Sequence, residues 1–217
     1  IAGLVNLVSK TPGETPETAL LLNMTSAEGL DVSAFHSQQS GQHGTTLFGA
    51  YNRSNAYEAE SNGLTAIPEF ERFTFTPRWF YSVSDETELD FGVGLVDETR
   101  LGGSIDFIAG RAPDEYFESN KSQRAFTRFE LAHQLTDDLG FSLKNANSRF
   151  DRSLEVPDFR FAGAQLSTFT EMALNSVSAE SDWVLGLNVT TEKFEQDEGA
   201  VEFDYNYLHS SAKCYSE

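Results

Sequence analysis

Carboxylate pairs are the first residues in this sequence that could do covalent chemistry. Glu58 and Glu60 form one pair, and Asp114 and Glu115 form another. Two carboxylates can hydrolyse a glycosidic bond when one donates a proton and the other attacks the sugar or activates water. The chain holds 34 acidic residues, so such pairs also arise from composition alone.

Metal ligands and nucleophile motifs are sparse. Asp197 and Glu198 could help to hold calcium, or they could simply be solvated. The zinc, phosphate-loop, dinucleotide, serine-elbow and calcium-hand motifs are all absent, and Cys214 has no second cysteine to pair with. The histidines share no ligand spacing: His36, His43, His133 and His209. We therefore expect no catalytic residue, no metal site and no cofactor.

A better candidate site lies in residues 100–123, which the pattern predicts to be a long loop. It contains Arg100, Arg111, Tyr116 and Phe117. Guanidinium groups and aromatic rings suit an anionic, ring-bearing metal chelate, which they would bind by charge and stacking. The same aromatic residues could instead pack the loop onto itself.

The composition limits the class of partner. With 15 basic and 34 acidic residues the formal net charge is -19, which argues against nucleic acid, because phosphates require clusters of Lys and Arg. The 18 Phe, 7 Tyr and 2 Trp argue against disorder and suit strands and membrane interfaces. No apolar run is long enough for a transmembrane helix, whereas barrel strands need apolar residues only at alternate positions.

Period-two alternation predicts the elements that position these residues. In the clearest example, Phe73, Phe75, Trp79 and Tyr81 alternate with small or charged residues, and Pro77 implies a bulge or a break in the ladder. About ten strands are predicted, at residues 18–25, 30–38, 45–53, 73–82, 89–95, 128–134, 141–152, 165–177, 183–190 and 201–208.

The alternation also assigns a face to each side chain. One face would be directed towards lipid if the strands form a membrane barrel, and a β-sandwich would bury the same face against a second sheet. The residues predicted to face lipid are Phe73, Phe75, Trp79, Tyr81, Leu89, Phe91, Trp183, Leu185 and Leu187. Those predicted to line the interior, in salt bridges within the wall or with a plug, are Arg78, Arg128, Glu130 and Lys144.

The lengths of the connections favour the barrel. Counted from the first strand, the breaks at one end of the sheet are all short, at residues 40–44, 84–87, 136–140 and 178–182. Those at the other end are mostly long, at residues 54–70, 100–123, 154–164 and 195–200. Short periplasmic turns and long extracellular loops are typical of outer-membrane barrels.

The first twelve residues carry a family resemblance. They read Ile-Ala-Gly-Leu-Val-Asn-Leu-Val-Ser-Lys-Thr-Pro, and with Gly3, Asn6, Lys10 and Pro12 they resemble the last plug strand of TonB-dependent outer-membrane receptors. Softer similarities lie at residues 67–73, 98–103 and 156–159. The resemblance implies the end of a plug domain at residues 1–12, a linker at 13–17 and the N-terminal part of an incomplete antiparallel transmembrane β-barrel at 18–208. The tail at 209–217 loses the alternation, so we expect it to be atypical and truncated.

The resemblance also implies a function. The whole protein would import a scarce nutrient across the outer membrane of a Gram-negative bacterium, first a ferric siderophore and next cobalamin. Its partners would be outer-membrane lipid, a small-molecule ligand such as a metal chelate, and the inner-membrane TonB complex, which would bind a segment preceding Ile1. Two alternatives remain open: a soluble secreted β-sandwich for binding or adhesion, and a β-rich secreted glycoside hydrolase.

Overall fold

A computed structural model describes residues 9–26, 28–178, 181–198 and 204–216. They form one antiparallel up-and-down sheet in which every strand pairs with its neighbours in sequence, which confirms the predicted all-β fold class. The strands are β1 (Glu17–Met24), β2 (Leu30–Ser40), β3 (His43–Ser54), β4 (Glu69–Ser84), β5 (Thr87–Gly103), β6 (Phe117–Thr136), β7 (Leu139–Val156), β8 (Phe159–Val177), β9 (Asp182–Glu198) and β10 (Tyr205–Ser216).

The two ends of the sheet differ in their connections. At the end that we call the turn end, β2–β3, β4–β5 and β6–β7 are each joined by two residues, and β8–β9 by residues 178–181. The opposite end, which we call the loop end, carries the long connections 55–68 and 104–116. The predicted difference between the two ends is therefore present, with the short connections at the predicted positions.

Several strands extend further towards the loop end than alternation predicted. The expected loop 100–123 is reduced to residues 104–116, and the expected loop 154–164 is a two-residue turn in which Asp158 has a φ of 61°. Both loop predictions are wrong in extent. On β6, residues 118–124 are polar on both faces, so they pair with β5 through their backbones without leaving a period-two signal.

The end of the chain shows the same effect. Alternation ends at Leu208, yet β10 runs from Tyr205 to Ser216 in continuous register with β9. The predicted break at Pro77 is confirmed, because the β4–β5 pairing omits Thr76 and Pro77 without a register shift there. The ring nitrogen of Pro77 has no hydrogen to donate to the ladder.

The two long connections are docked onto each other. The amide of Thr65 donates to the carbonyl of Gly103 at 2.9 Å, and the amide of Gly103 donates to Oγ1 of Thr65 at 3.0 Å. A one-turn helix, α1 (Ile105–Ile108), begins where the buried Ser104 side chain accepts from two amides of that turn. Backbone and hydroxyl hydrogen bonds thus order a segment that sequence pattern leaves undefined.

The sheet has an unusual distribution of apolar side chains. Among the residues that the structure describes, no apolar side chain is buried, and large ones such as Phe73 and Leu185 are about half exposed, at 51% and 48%. No second layer covers the described strands. A soluble sandwich would bury one face of each sheet against the other, so the β-sandwich alternative is wrong for this part of the chain.

Candidate functional site

The strand registers sort the side chains onto two faces. From here on the linker means residues 9–16, the described segment that precedes β1. Its residues 9–12 lie against one face of the sheet, which we call the linker face, and we call the opposite one the apolar face. Nine predicted lipid-facing residues share the apolar face: Phe73, Phe75, Trp79, Tyr81, Leu89, Phe91, Trp183, Leu185 and Leu187. Their contact with lipid stays a prediction. No helix in the described part of the chain has the length and apolar character needed to cross a membrane.

The apolar face carries an aromatic cluster at the turn end. His43 stacks on Tyr81 with ring centroids 4.8 Å apart, and Trp79 stacks on Tyr81 at 5.6 Å. The indole nitrogen of Trp79 also lies 3.3 Å from Nδ1 of His43. Amphipathic rings of this kind are typical of the margin of a membrane-spanning region. His43 could not be selected from local sequence, because only the β3–β4 register brings it beside Trp79 and Tyr81.

The linker face carries an ionic cluster near the turn end. Asp90 accepts from Arg78 at 2.5 Å and pairs with Arg128 at 3.0 Å. Glu130 lies 3.5 Å from Arg128 and 3.6 Å from Lys144. The four residues predicted to line the interior therefore lie together and pair within the wall, and Asp90 is the member that sequence analysis did not select.

Gly92 makes this cluster possible. It pairs with Arg78 on one side and with Arg128 on the other, so both arginine side chains cross β5 directly over it. A Cβ at Gly92 would lie 2.9 Å from Cγ of Arg78 and 3.0 Å from Cγ of Arg128. The absence of a side chain thus lets two guanidinium groups reach the same carboxylate.

The linker contacts the wall beside this cluster. Nη1 of Arg78 donates to the carbonyl oxygen of Lys10 at 3.3 Å, and a Cβ added to Gly44 would lie 2.9 Å from Cγ of Pro12. An open recess of about 650 Å³ lies between the linker and the ionic cluster. Lys10 and Pro12 of the predicted plug motif therefore adjoin the wall, whereas Gly3 and Asn6 lie outside the described residues.

The four predicted ligand residues do not all line one recess in the structure. Arg100 and Tyr116 line one recess of about 380 Å³ at the loop end. Arg111 pairs instead with Asp106 in the loop, and Phe117 stacks on Phe107 at 4.4 Å. Arg100 lies on β5 and Phe117 begins β6, so their predicted position in a loop is wrong. Ligand contact by any of the four stays a prediction.

Two of the four carboxylates considered for hydrolysis, Glu58 and Glu115, have hydrogen-bond partners within the loops. Glu58 accepts from the amide of Gly63 at 2.5 Å, and Glu115 accepts from the Ser104 hydroxyl. Among the described residues, no three His, Cys, Asp or Glu side chains are grouped so that they could hold a metal ion. The contacts of Glu58 and Glu115 hold loop residues in place.

Comparison with known proteins identifies the fold. No model of a protein family matches the sequence, and no curated protein matches it. Among solved structures, the ferric-catecholate import receptor Fiu from E. coli K12 in its closed form superposes with a TM-score of 0.66 at 14% identity over 88% of this chain. The unliganded ferric citrate transporter FecA gives 0.65 at 7% identity over 95%. BauA, the ferric preacinetobactin receptor from Acinetobacter baumannii, gives 0.54 at 10% identity over 95%.

This chain spans only a part of those proteins, covering 33% of Fiu, 37% of FecA and 46% of BauA. All three are receptors or transporters, not enzymes. The chain has the fold of part of a TonB-dependent receptor barrel, which confirms the predicted resemblance at the level of the fold.

Proposed function

We propose that this chain is part of the barrel wall of a TonB-dependent outer-membrane receptor that imports a scarce nutrient. The observation that carries the proposal is the contrast between the two faces of a single sheet. The apolar face has exposed Phe, Leu, Val and Trp side chains, and the opposite face has paired charges and the linker. In a barrel the first would meet lipid and the second would line a polar lumen.

The extent of the apolar face fits a membrane. On β4 the apolar side chains run from Phe73 to Tyr81, which is about 26 Å of strand at roughly 3.3 Å per residue. With a tilt of about 40° this becomes roughly 20 Å along the membrane normal, close to the height of the apolar band of outer-membrane barrels. The turn end would then face the periplasm and the loop end the cell exterior.

The proposed cargo is a metal chelate, first a ferric siderophore and next cobalamin. Transport would involve no covalent chemistry. A chelate bound at the loop end would bias the position of the plug, and the inner-membrane TonB complex would supply the energy for its movement. The linker contacts at Lys10 and Pro12 support a plug that is held against this wall.

Expression of the full-length parent gene in a Gram-negative host tests the proposal. We expect the protein in the outer-membrane fraction, with trypsin on intact cells cutting after the exposed Arg111 of connection 104–116. We also expect uptake of a radiolabelled ferric chelate that a protonophore abolishes. The Arg111→Gln variant should lose this cleavage, which would identify Arg111 as the site. Recovery as a soluble protein that needs no detergent would refute the proposal. Recovery in the outer membrane with no protonophore-sensitive uptake of the chelate would also refute it.

A further inference from the structure

Four arginines stand at one level on the linker face. They lie on four successive strands, each twelve or thirteen residues from its turn-end terminus: Arg72, Arg100, Arg124 and Arg152. This corresponds to about 40 Å of strand from the turns. On β4 this level is the loop-end limit of the apolar side chains on the apolar face, since Arg72 directly precedes Phe73. In the proposed barrel it is the upper wall of the lumen.

The four differ in their partners. Arg72 and Arg100 both pair with Glu98, so one carboxylate serves two guanidinium groups. Arg124 lies over the ring of Phe150 at 4.9 Å, and Nε of Arg152 donates to Oδ1 of Asn120 at 3.3 Å. Among the side chains that the structure describes, no carboxylate pairs with Arg124 or Arg152. In a chain of formal net charge -19 this is a local excess of positive charge.

A row of aromatic rings adjoins Arg152. Phe161 and Phe194 have centroids 6.2 Å apart with planes 6° apart, and Tyr205 continues the row at 5.6 Å from Phe194. Gly163, the partner of Arg152 on β8, admits the Phe194 ring, whose Cζ would lie 2.7 Å from an added Cβ. Flat aromatic surface therefore lies beside the Arg152 guanidinium, and Arg124 lies one strand further along the same wall, over the Phe150 ring.

We propose that Arg124 and Arg152, with the aromatic row, form a subsite for an anionic, aryl-bearing metal chelate. This rests on the proposed function and narrows its substrate class. Guanidinium groups without a carboxylate partner bind anionic oxygens through charge-assisted hydrogen bonds, and parallel rings offer stacking faces. A neutral hydroxamate chelate would use neither the charge nor the aryl stacking. The subsite lies on the wall, apart from the loop residues Arg111 and Tyr116 that sequence analysis favoured.

The test uses the purified full-length receptor in detergent and two iron chelates, an anionic tris-catecholate and a neutral tris-hydroxamate. We expect the wild-type protein to bind the catecholate more tightly, with an affinity that falls as salt rises. Arg124→Gln and Arg152→Gln should each raise its Kd about 10-fold, and the double variant about 100-fold. Arg→Lys at both positions should recover part of the loss, because the charge remains. Hydroxamate binding should change less than about 3-fold, because a neutral chelate makes no charge-assisted bond to these arginines.

Arg149→Gln is the matched control. Arg149 lies on the same strand as Arg152 but on the apolar face, where it pairs with Asp151 at 2.6 Å. We expect its catecholate Kd to stay at the wild-type value. Heat-modifiable gel migration must match wild type for every variant, and a Phe194→Ala variant, with both arginines intact, should lower catecholate affinity by itself.

The outcomes separate the two proposals. If the folded double variant binds catecholate as wild type does, or if the wild type prefers the neutral chelate, the subsite is wrong and the receptor function stands. The subsite is also wrong if the double variant loses both chelates equally, because these arginines would then hold the plug. If the wild type neither binds nor imports either chelate, the receptor function proposed for iron chelates fails together with the subsite.

Discussion

Asp90→Ala should destabilise the barrel more than removal of an exposed, paired carboxylate such as Asp151. Asp90 is 9% exposed and accepts from two guanidinium groups, those of Arg78 at 2.5 Å and Arg128 at 3.0 Å. The alanine variant leaves both cations without this partner. Breaking a buried ion pair costs about 3–5 kcal/mol. Because the Arg128 side chain is 36% exposed and keeps Glu130 nearby, we expect a loss at the lower end of that range, about 3 kcal/mol.

Urea unfolding of the full-length protein in detergent micelles measures this difference. Asp151→Ala is the matched control, because Asp151 also pairs with an arginine, but both side chains are well exposed, at 39% for Asp151 and 63% for Arg149. Exposed pairs contribute about 0–1 kcal/mol. A free-energy loss for Asp90→Ala within about 1 kcal/mol of the control would refute the reasoning. A triple variant that combines Asp90→Leu with Arg78→Met and Arg128→Met should recover most of the lost free energy of unfolding, because apolar side chains then replace all three charges.

Three further predictions concern the faces and the glycines. Val189→Arg, on the apolar face near the middle of the apolar band, should impair outer-membrane assembly at a cost of about 2–4 kcal/mol. Asn188→Arg, one residue away on the linker face, should assemble normally, as measured by heat-modifiable migration, and equal assembly of the two variants would contradict the assignment of faces. Gly103→Ala should cost about 1–3 kcal/mol of stability, because Gly103 has a φ of 113° and a Cβ would lie 2.4 Å from the carbonyl oxygen of Tyr116. It should also speed proteolysis of connections 55–68 and 104–116 in intact cells, and an unchanged cleavage rate would argue against the docking of these two connections. Gly44→Val should push Pro12 away from the wall and speed trypsin cleavage in the linker, and cleavage at the wild-type rate would show that the linker does not depend on this contact.

Much of the fold follows from local sequence pattern. Alternation along β4, β5 and β9 places Phe73, Leu89 and Leu185 on one face without reference to any other strand, because successive side chains in a strand point to opposite faces. The short polar stretches between alternating runs predict the turns, and Pro77 predicts a missing ladder bond. These features depend on neighbouring residues only, so the sequence by itself determined the class of fold, the two faces and the turn end.

The tertiary structure decided the strand limits and the membership of the site. Arg100 lies on a strand because its backbone pairs with Asn120, and no local pattern records that pairing. Arg124 and Arg152 come together only through the β6–β7 register, in which Arg124 pairs with Phe150 and Arg152 with Ser122, and a one-residue slip would place either on the other face. Asp90 gains its burial and its two arginine partners only because the strand registers bring Arg78 and Arg128 to it across Gly92. Register is a non-local property of paired backbones, so the contacts that give these residues their chemistry arise only in the assembled sheet.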